Sequence, residues 1–263
     1  KTATLGSFSS AGLVYEMGDR AYRHLSGIYS PEFFVKTPSA VLEILKTHPE
    51  LRFDYWLLAP KSATSDFGAW TDDICGKNLL TGPNGLEVRK ANWDAFDSAV
   101  QPYVKLATNL TLVAQVDVGD EASERSAKYE IFDRYGRHSE DAFTLIDKLN
   151  GRTLIDAGRL LVGGDTFTIP LRVNKEATVV MRTYPQHQVT HVHGTSTYEF
   201  ANPLLLNVIV NDITLPPVSV AYATNGFSDV SFQIPAQAIQ KSPCRISVLG
   251  DHISCGYWFY QAR

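Results

Sequence analysis

The chain has 263 residues, of which 44% are hydrophobic and 20% charged, with a formal net charge of -4. That length and balance describe a globule with a full core, built as one large β-domain or as two units. The acidic balance and the scatter of Arg89, Lys90 and Arg159 leave no basic stripe to release counterions, which argues against a nucleic-acid partner.

The chain begins at Lys1 with no Met, which reads as a processed or excised piece whose "KTATLGSFSSAG" start is linker-like. Any membrane link would then run through a missing N-terminal region, because no apolar run reaches the roughly 18 to 20 residues of a spanning helix. Residues 9 to 27 read as a short helix closed by Gly27, since Leu13, Met17, Ala21 and Leu25 recur every four positions. A second helix is signalled in "TPSAVLEILKTHPE": Thr37 caps, Pro38 suits the first position, Val41, Leu42 and Leu45 form a face, and Pro49 ends it. "LRFDYWLLAP" reads as a buried strand, so residues 10 to 60 make a small α/β element. Residues 61 to 104 are irregular and rich in turn formers, with Trp70 and Trp93 marking a packed stretch rather than a linker.

From Leu110 the period changes to two. "TLVAQVDVG", "AKYEIFD", "AFTLID" and "TLIDAG" lead into "TFTIPLRV", "ATVVMRTY", "LLLNVIVN", "VSVAYA", "DVSFQI", "RISVLG" and "CGYWFYQ". Strict alternation turns one face of each strand inward. The predicted fold is mainly β, a jelly-roll-like antiparallel sandwich over residues 105–263 with a small N-terminal α/β cap over 1–104 packed on it. Cys244 and Cys255 flank "RISVLGDHIS", read as a hairpin turning near Gly250, with two buried thiols favoured over a disulfide. The sequon Asn109-Leu110-Thr111 falls in an apparent strand.

Three clusters carry chemistry. "YPQHQVTHVHGTSTYEF" places His187, His191 and His193 in a long connection between Tyr184 and Tyr198. In an extended segment His191 and His193 share a face, as imidazoles must to meet one ion, and Glu199 can join them; a soluble polar loop is the plainer reading. "QVDVGDEASER" crowds Asp117, Asp120, Glu121 and Glu124 at a strand end. Calcium takes about six to eight oxygens, so this loop suits a structural calcium ion, or else solvated acids with Arg125 as partner. In "YWFY" at 257–260, alternation puts Trp258 and Tyr260 on one face: a ring platform for a sugar, or a strand buried on both sides. No nucleophile elbow, P-loop, H-E-x-x-H or G-x-G-x-x-G is present, so no enzyme class is indicated.

The runs "FTIPLRV", "ATVVMRT", "LLLNVIVNDITL" with Asn211-Asp212 as a hairpin turn, "FSDVSFQIPAQAI" and the closing "RISV…GYWFYQ" resemble galactose-binding-like jelly rolls and carbohydrate-binding modules over residues 155–263. The resemblance implies a glycan partner, held non-covalently by loops at one end of the sandwich, in an extracytoplasmic (secreted, periplasmic or cell-surface) setting. "YSPEFFVKTPSAVLEILKTHPELRFDYWLL" is similar to extracytoplasmic tails of membrane glycosyltransferases, which implies the water-soluble end of a membrane enzyme. The expected binding residues are Tyr184, His187, His191, His193, Tyr198, Trp258 and Tyr260. A metal-dependent enzyme built on the histidines and a structural or assembly module are the alternatives.

Overall fold

The computed structural model describes residues 5–7, 22–24, 45–46, 48–58, 76–82, 85, 87–100, 109–133, 142–185, 188–190, 197–199, 203–221 and 226–263. The chain divides into two compact units, 1–101 with 143–146 and 151–156, and 102–142 with 147–150 and 157–263.

In the first unit β1 (Leu5–Ser7), β2 (Tyr22–His24), β3 (Tyr55–Leu58), β4 (Asn78–Thr81) and β5 (Glu87–Lys90) form a sheet ordered β2-β1-β3-β5-β4. β1 runs parallel to both neighbours, while β5 is antiparallel to β3 and β4. The helix expected over residues 9 to 27 is corrected at Tyr22–His24, whose backbone pairs with β1 instead of closing helical turns. The rest of that segment lies outside the described residues. Leu45 and Lys46 are helical as expected, and Pro49 opens a short 3-10 turn. The stretch expected to be irregular holds β4, β5 and helix α1 (Trp93–Val100). Asn92 caps α1, its side chain accepting from the Ala95 N–H at 3.2 Å. Trp93 then meets Phe53, Trp56 and Phe96 with ring centroids 5.1, 5.6 and 5.2 Å away. Arg52 covers this cluster, lying 5.0 Å from the Trp93 ring and donating to both oxygens of Asp97.

The second unit is the sandwich. Its strands are β6 (Leu110–Asp117), β7 (Glu130–Asp133), β8 (Phe143–Leu149), β9 (Arg152–Leu161), β10 (Gly163–Ile169), β11 (Ala177–Thr183), β12 (Gln188–Thr190), β13 (Thr197–Glu199), β14 (Leu204–Val210), β15 (Ile213–Thr214), β16 (Val218–Val220), β17 (Ser228–Ile234), β18 (Cys244–Leu249) and β19 (His252–Ala262), of which β8 and β9 begin in the first unit. One sheet has the order β15-β14-β18-β10-β7, with β16 beside β14; the other is β17-β11-β19-β9-β8, with β6 beside β19. β12 and β13 form a separate ribbon. Inward side chains of the two sheets meet: Phe167 of β10 lies 4.7 Å from Tyr257 and 6.0 Å from Phe259 of β19. All seven expected C-terminal runs are strands. Asn211 and Asp212 turn the chain between β14 and β15 with φ of 47° and 72°, the left-handed pair a two-residue hairpin needs.

Two expectations change here. The segment from Cys244 to Cys255 is an arch, not a hairpin: β18 pairs with β10 and β14, β19 with β11, β6 and β9, so the turn at Gly250 carries the chain between sheets. Both thiols are buried and not joined in a disulfide, as expected. Asn109 is an exposed turn residue just before β6, not part of a strand.

Candidate functional site

Between β6 and β7 the chain passes from one sheet to the other through helix α2 (Glu121–Ser126). The helix starts where Gly119 turns sharply at φ +96°; a Cβ there would stand 2.5 Å from the Ala157 Cβ. Asp120 caps it, accepting from the Ser123 N–H at 2.6 Å, and the Ser123 hydroxyl accepts from the Asp117 N–H at 2.8 Å. Glu124 is held from three directions. It accepts from the Gly119 N–H at 2.8 Å and from Arg159 Nε and Nη2 at 2.6 and 2.8 Å.

These constraints shape a cleft of about 410 Å³ lined by Glu121, Glu124, Arg125, Lys128, Tyr129 and Glu130. Among the described residues that line it, Tyr129 supplies the only ring. The ring lies nearly parallel to Phe167, 8° between planes with centroids 6.3 Å apart, and its hydroxyl donates to Asp165 Oδ2 at 2.9 Å. Asp165 on β10 is fully buried and also accepts from the Tyr257 hydroxyl, at 3.1 and 2.9 Å to its two oxygens. Ser254 donates to Tyr257 in turn, at 3.1 Å. Burial pushes the Asp165 carboxyl up to about 7, against the hydrogen bonds from Tyr129, Tyr257 and Ser254 that pull it down. Burial, and the nearby Asp165 charge, push both tyrosines well above their usual range. Tyr129 is thus fixed at both ends, by Phe167 and by a buried acid.

The residues expected from sequence fall in several places. Glu121 and Glu124 line this cleft, while Asp120 caps α2; Glu121 lies 3.8 Å from Arg125 as an exposed helical pair. Among the described residues no three His, Cys, Asp or Glu stand where they can hold one metal ion. Tyr184 is buried, its hydroxyl donating to Asp147 Oδ2 and its ring edge-on to Phe227 at 5.2 Å. His187, His191 and His193 lie outside the described residues, and Tyr198 pairs with Val189 in the β12–β13 ribbon. Trp258 and Tyr260 do share a face, yet they are only 5% and 9% exposed. The Arg182 guanidinium sits 4.8 Å from the Trp258 ring centre, and Val180 packs beside both rings. From His252 to Gln261 every residue of β19 is buried, the alternative that the sequence left open for this strand.

Sequence reasoning missed Lys128, Tyr129, Glu130 and the buried Asp165. Asp120 ahead of Glu121, Glu124 and a late Arg125 was the available signal for a capped helix there.

No family model matches the chain, and no curated protein matches it. Solved structures to which it is similar include a family GH115 4-O-methyl-α-glucuronidase with specificity for decorated arabinogalactans, at 14% identity and a TM-score of 0.30 over 64% of this chain and 20% of that one. Another is the ANX1 ectodomain from Arabidopsis thaliana, at 10% identity and a TM-score of 0.36 over 68% and 57% of the two chains. A third is a family 35 carbohydrate binding module from Clostridium thermocellum, at 12% identity and a TM-score of 0.22 over 51% and 98%. The chain spans 20% of the glucuronidase and 57% of the ectodomain.

Proposed function

We propose that the sandwich unit is a saccharide-binding module, working outside the cytoplasm and holding its ligand non-covalently in the cleft beside α2. The supporting observation is the Tyr129 ring, locked between Phe167 and Asp165 at the wall of a cleft otherwise lined by charged side chains. A sugar needs an apolar surface for its C–H face and donors and acceptors for its hydroxyls. Tyr129 supplies the first. Lys128 and Arg125 supply donors, Glu130 and Glu121 acceptors. A volume of about 410 Å³ suits one or two sugar units. Because the ring is already immobile, binding it loses little further side-chain entropy.

Replacing Tyr129 with Leu keeps apolar bulk on Phe167 and removes the flat face. Calorimetric titration with a panel of mono- and oligosaccharides is expected to show binding to the parent chain, weakened about tenfold or more in Tyr129→Leu, equivalent to about 1.4 kcal/mol. Equal affinity in the two proteins, with the fold intact by circular dichroism, would remove the cleft from the account.

A further inference from the structure

The outward side chain after Glu130 on β7 is Phe132, which is 56% exposed. Its cross-strand partner on β10 is Gly164, which has no side chain to lay beside the ring. Beyond Gly164 the same row continues through Leu249 of β18 to Asn207 of β14. The adjacent outward row runs Glu130, Thr166, Ser247. The Thr166 and Ser247 hydroxyls lie 2.9 Å apart, and Thr166 also donates to the Ile246 carbonyl at 3.0 Å. Glu130 belongs both to this row and to the cleft lining, so the two surfaces are continuous along β7.

The face alternates apolar side chains, Phe132 and the exposed Leu205 two residues before Asn207, with the hydroxyls of Thr166 and Ser247, the Asn207 amide and the Glu130 carboxylate. It matches a ligand that alternates apolar faces with hydroxyl edges. We propose that this face is a second subsite, which takes the further units of an oligosaccharide whose first unit sits in the α2 cleft. Phe132 lies under one pyranose ring, and Thr166, Ser247 and, three strands away, Asn207 bond the hydroxyls of the units that follow it. The inference rests on the saccharide reading of the cleft and adds the ligand class: an extended neutral chain, not a single sugar.

The test is titration of the intact chain with β-1,4-linked xylo-, manno- and gluco-oligosaccharides, each as monomer, dimer and tetramer. The parent is expected to gain about tenfold or more in affinity from monomer to tetramer in the series it binds, a gain of about 1.4 kcal/mol. Phe132→Ala, at an exposed position, keeps the monomer affinity and loses that gain; Asn207→Ala loses part of it. A parent whose affinity does not grow with chain length, or a Phe132→Ala variant that keeps the growth, overturns the second subsite alone. No binding in any series overturns the cleft reading and this inference together.

Discussion

Asparagine in place of Asp165 is expected to tilt the pH dependence of stability between about pH 4 and about pH 7 toward loss on acidification. Asp165 is fully buried and its carboxyl is pushed up to about 7. Between its unfolded value of 3.8 and about 7 the fold keeps a proton that the unfolded chain has released. Its contribution is therefore complete below the unfolded value and is lost as pH rises to about 7, a change of about 4 kcal/mol. His252 acts in the other direction. It is fully buried, with Nδ1 3.0 Å from the Gly250 carbonyl oxygen and Nε2 without a hydrogen-bond partner among the described residues. Burial lowers it from 6.5 to about 4, against the pull of Gly250 and Asp251. Its contribution is complete above the unfolded value and is lost as pH falls through about 4, a change of about 3 kcal/mol.

The two slopes oppose each other over nearly the same window. Asp165→Asn should leave the histidine slope exposed, and His252→Gln should leave the carboxyl slope. Urea unfolding of the three proteins from about pH 4.5 to about pH 7.5 reads this as a difference in stability that changes with pH. A gap between parent and Asp165→Asn that stays constant with pH would contradict the buried, protonated acid.

Asp229→Ala, on β17 beside Arg182 of β11, should be the most damaging single substitution on the outer face of these two strands. Arg182 is 1% exposed and donates from Nε and Nη2 to the two oxygens of Asp229 at 2.8 and 3.0 Å, while its guanidinium covers Trp258. Removing the carboxylate leaves a buried charge without its bidentate partner, and such losses cost about 3 to 5 kcal/mol. Replacing the pair together, Arg182→Met with Asp229→Leu, should recover most of that loss, since apolar residues of similar volume need no compensating charge. The measurement is the urea midpoint of the single and double variants. A loss under about 1 kcal/mol for Asp229→Ala would mean that solvent reaches Arg182.

Strand identity was legible in the sequence because period two survives wherever one face is buried, as in "LLLNVIV" with its alternating exposure. Partner choice was not. Alternation says which face a residue occupies and nothing about which strand lies beside it, so the arch from Cys244 to Cys255 reads the same as a hairpin. Helix α2 was hidden for another reason: "EASERS" has no large apolar residue to reveal a helical period. Helix α1 did carry one, in Phe96 and Ala99 after the Asn92 cap, within a stretch whose turn formers masked it. The cleft was half visible, through Glu121 and Glu124. Its ring was not, because what fixes Tyr129 is Asp165, 36 residues on, and what holds Asp165 is Tyr257, 92 residues further. Buried polar partners of that separation leave no local pattern.

The proposed saccharide site runs beside α2 and along β7. Amide chemical-shift mapping, with the saccharide that binds most tightly titrated into the labelled chain, tests it most directly. The largest shifts are expected on Gly119 to Phe132 and on Gly164 to Thr166. Shifts confined to residues 184–199, or to the strands carrying Trp258 and Arg182, would contradict it.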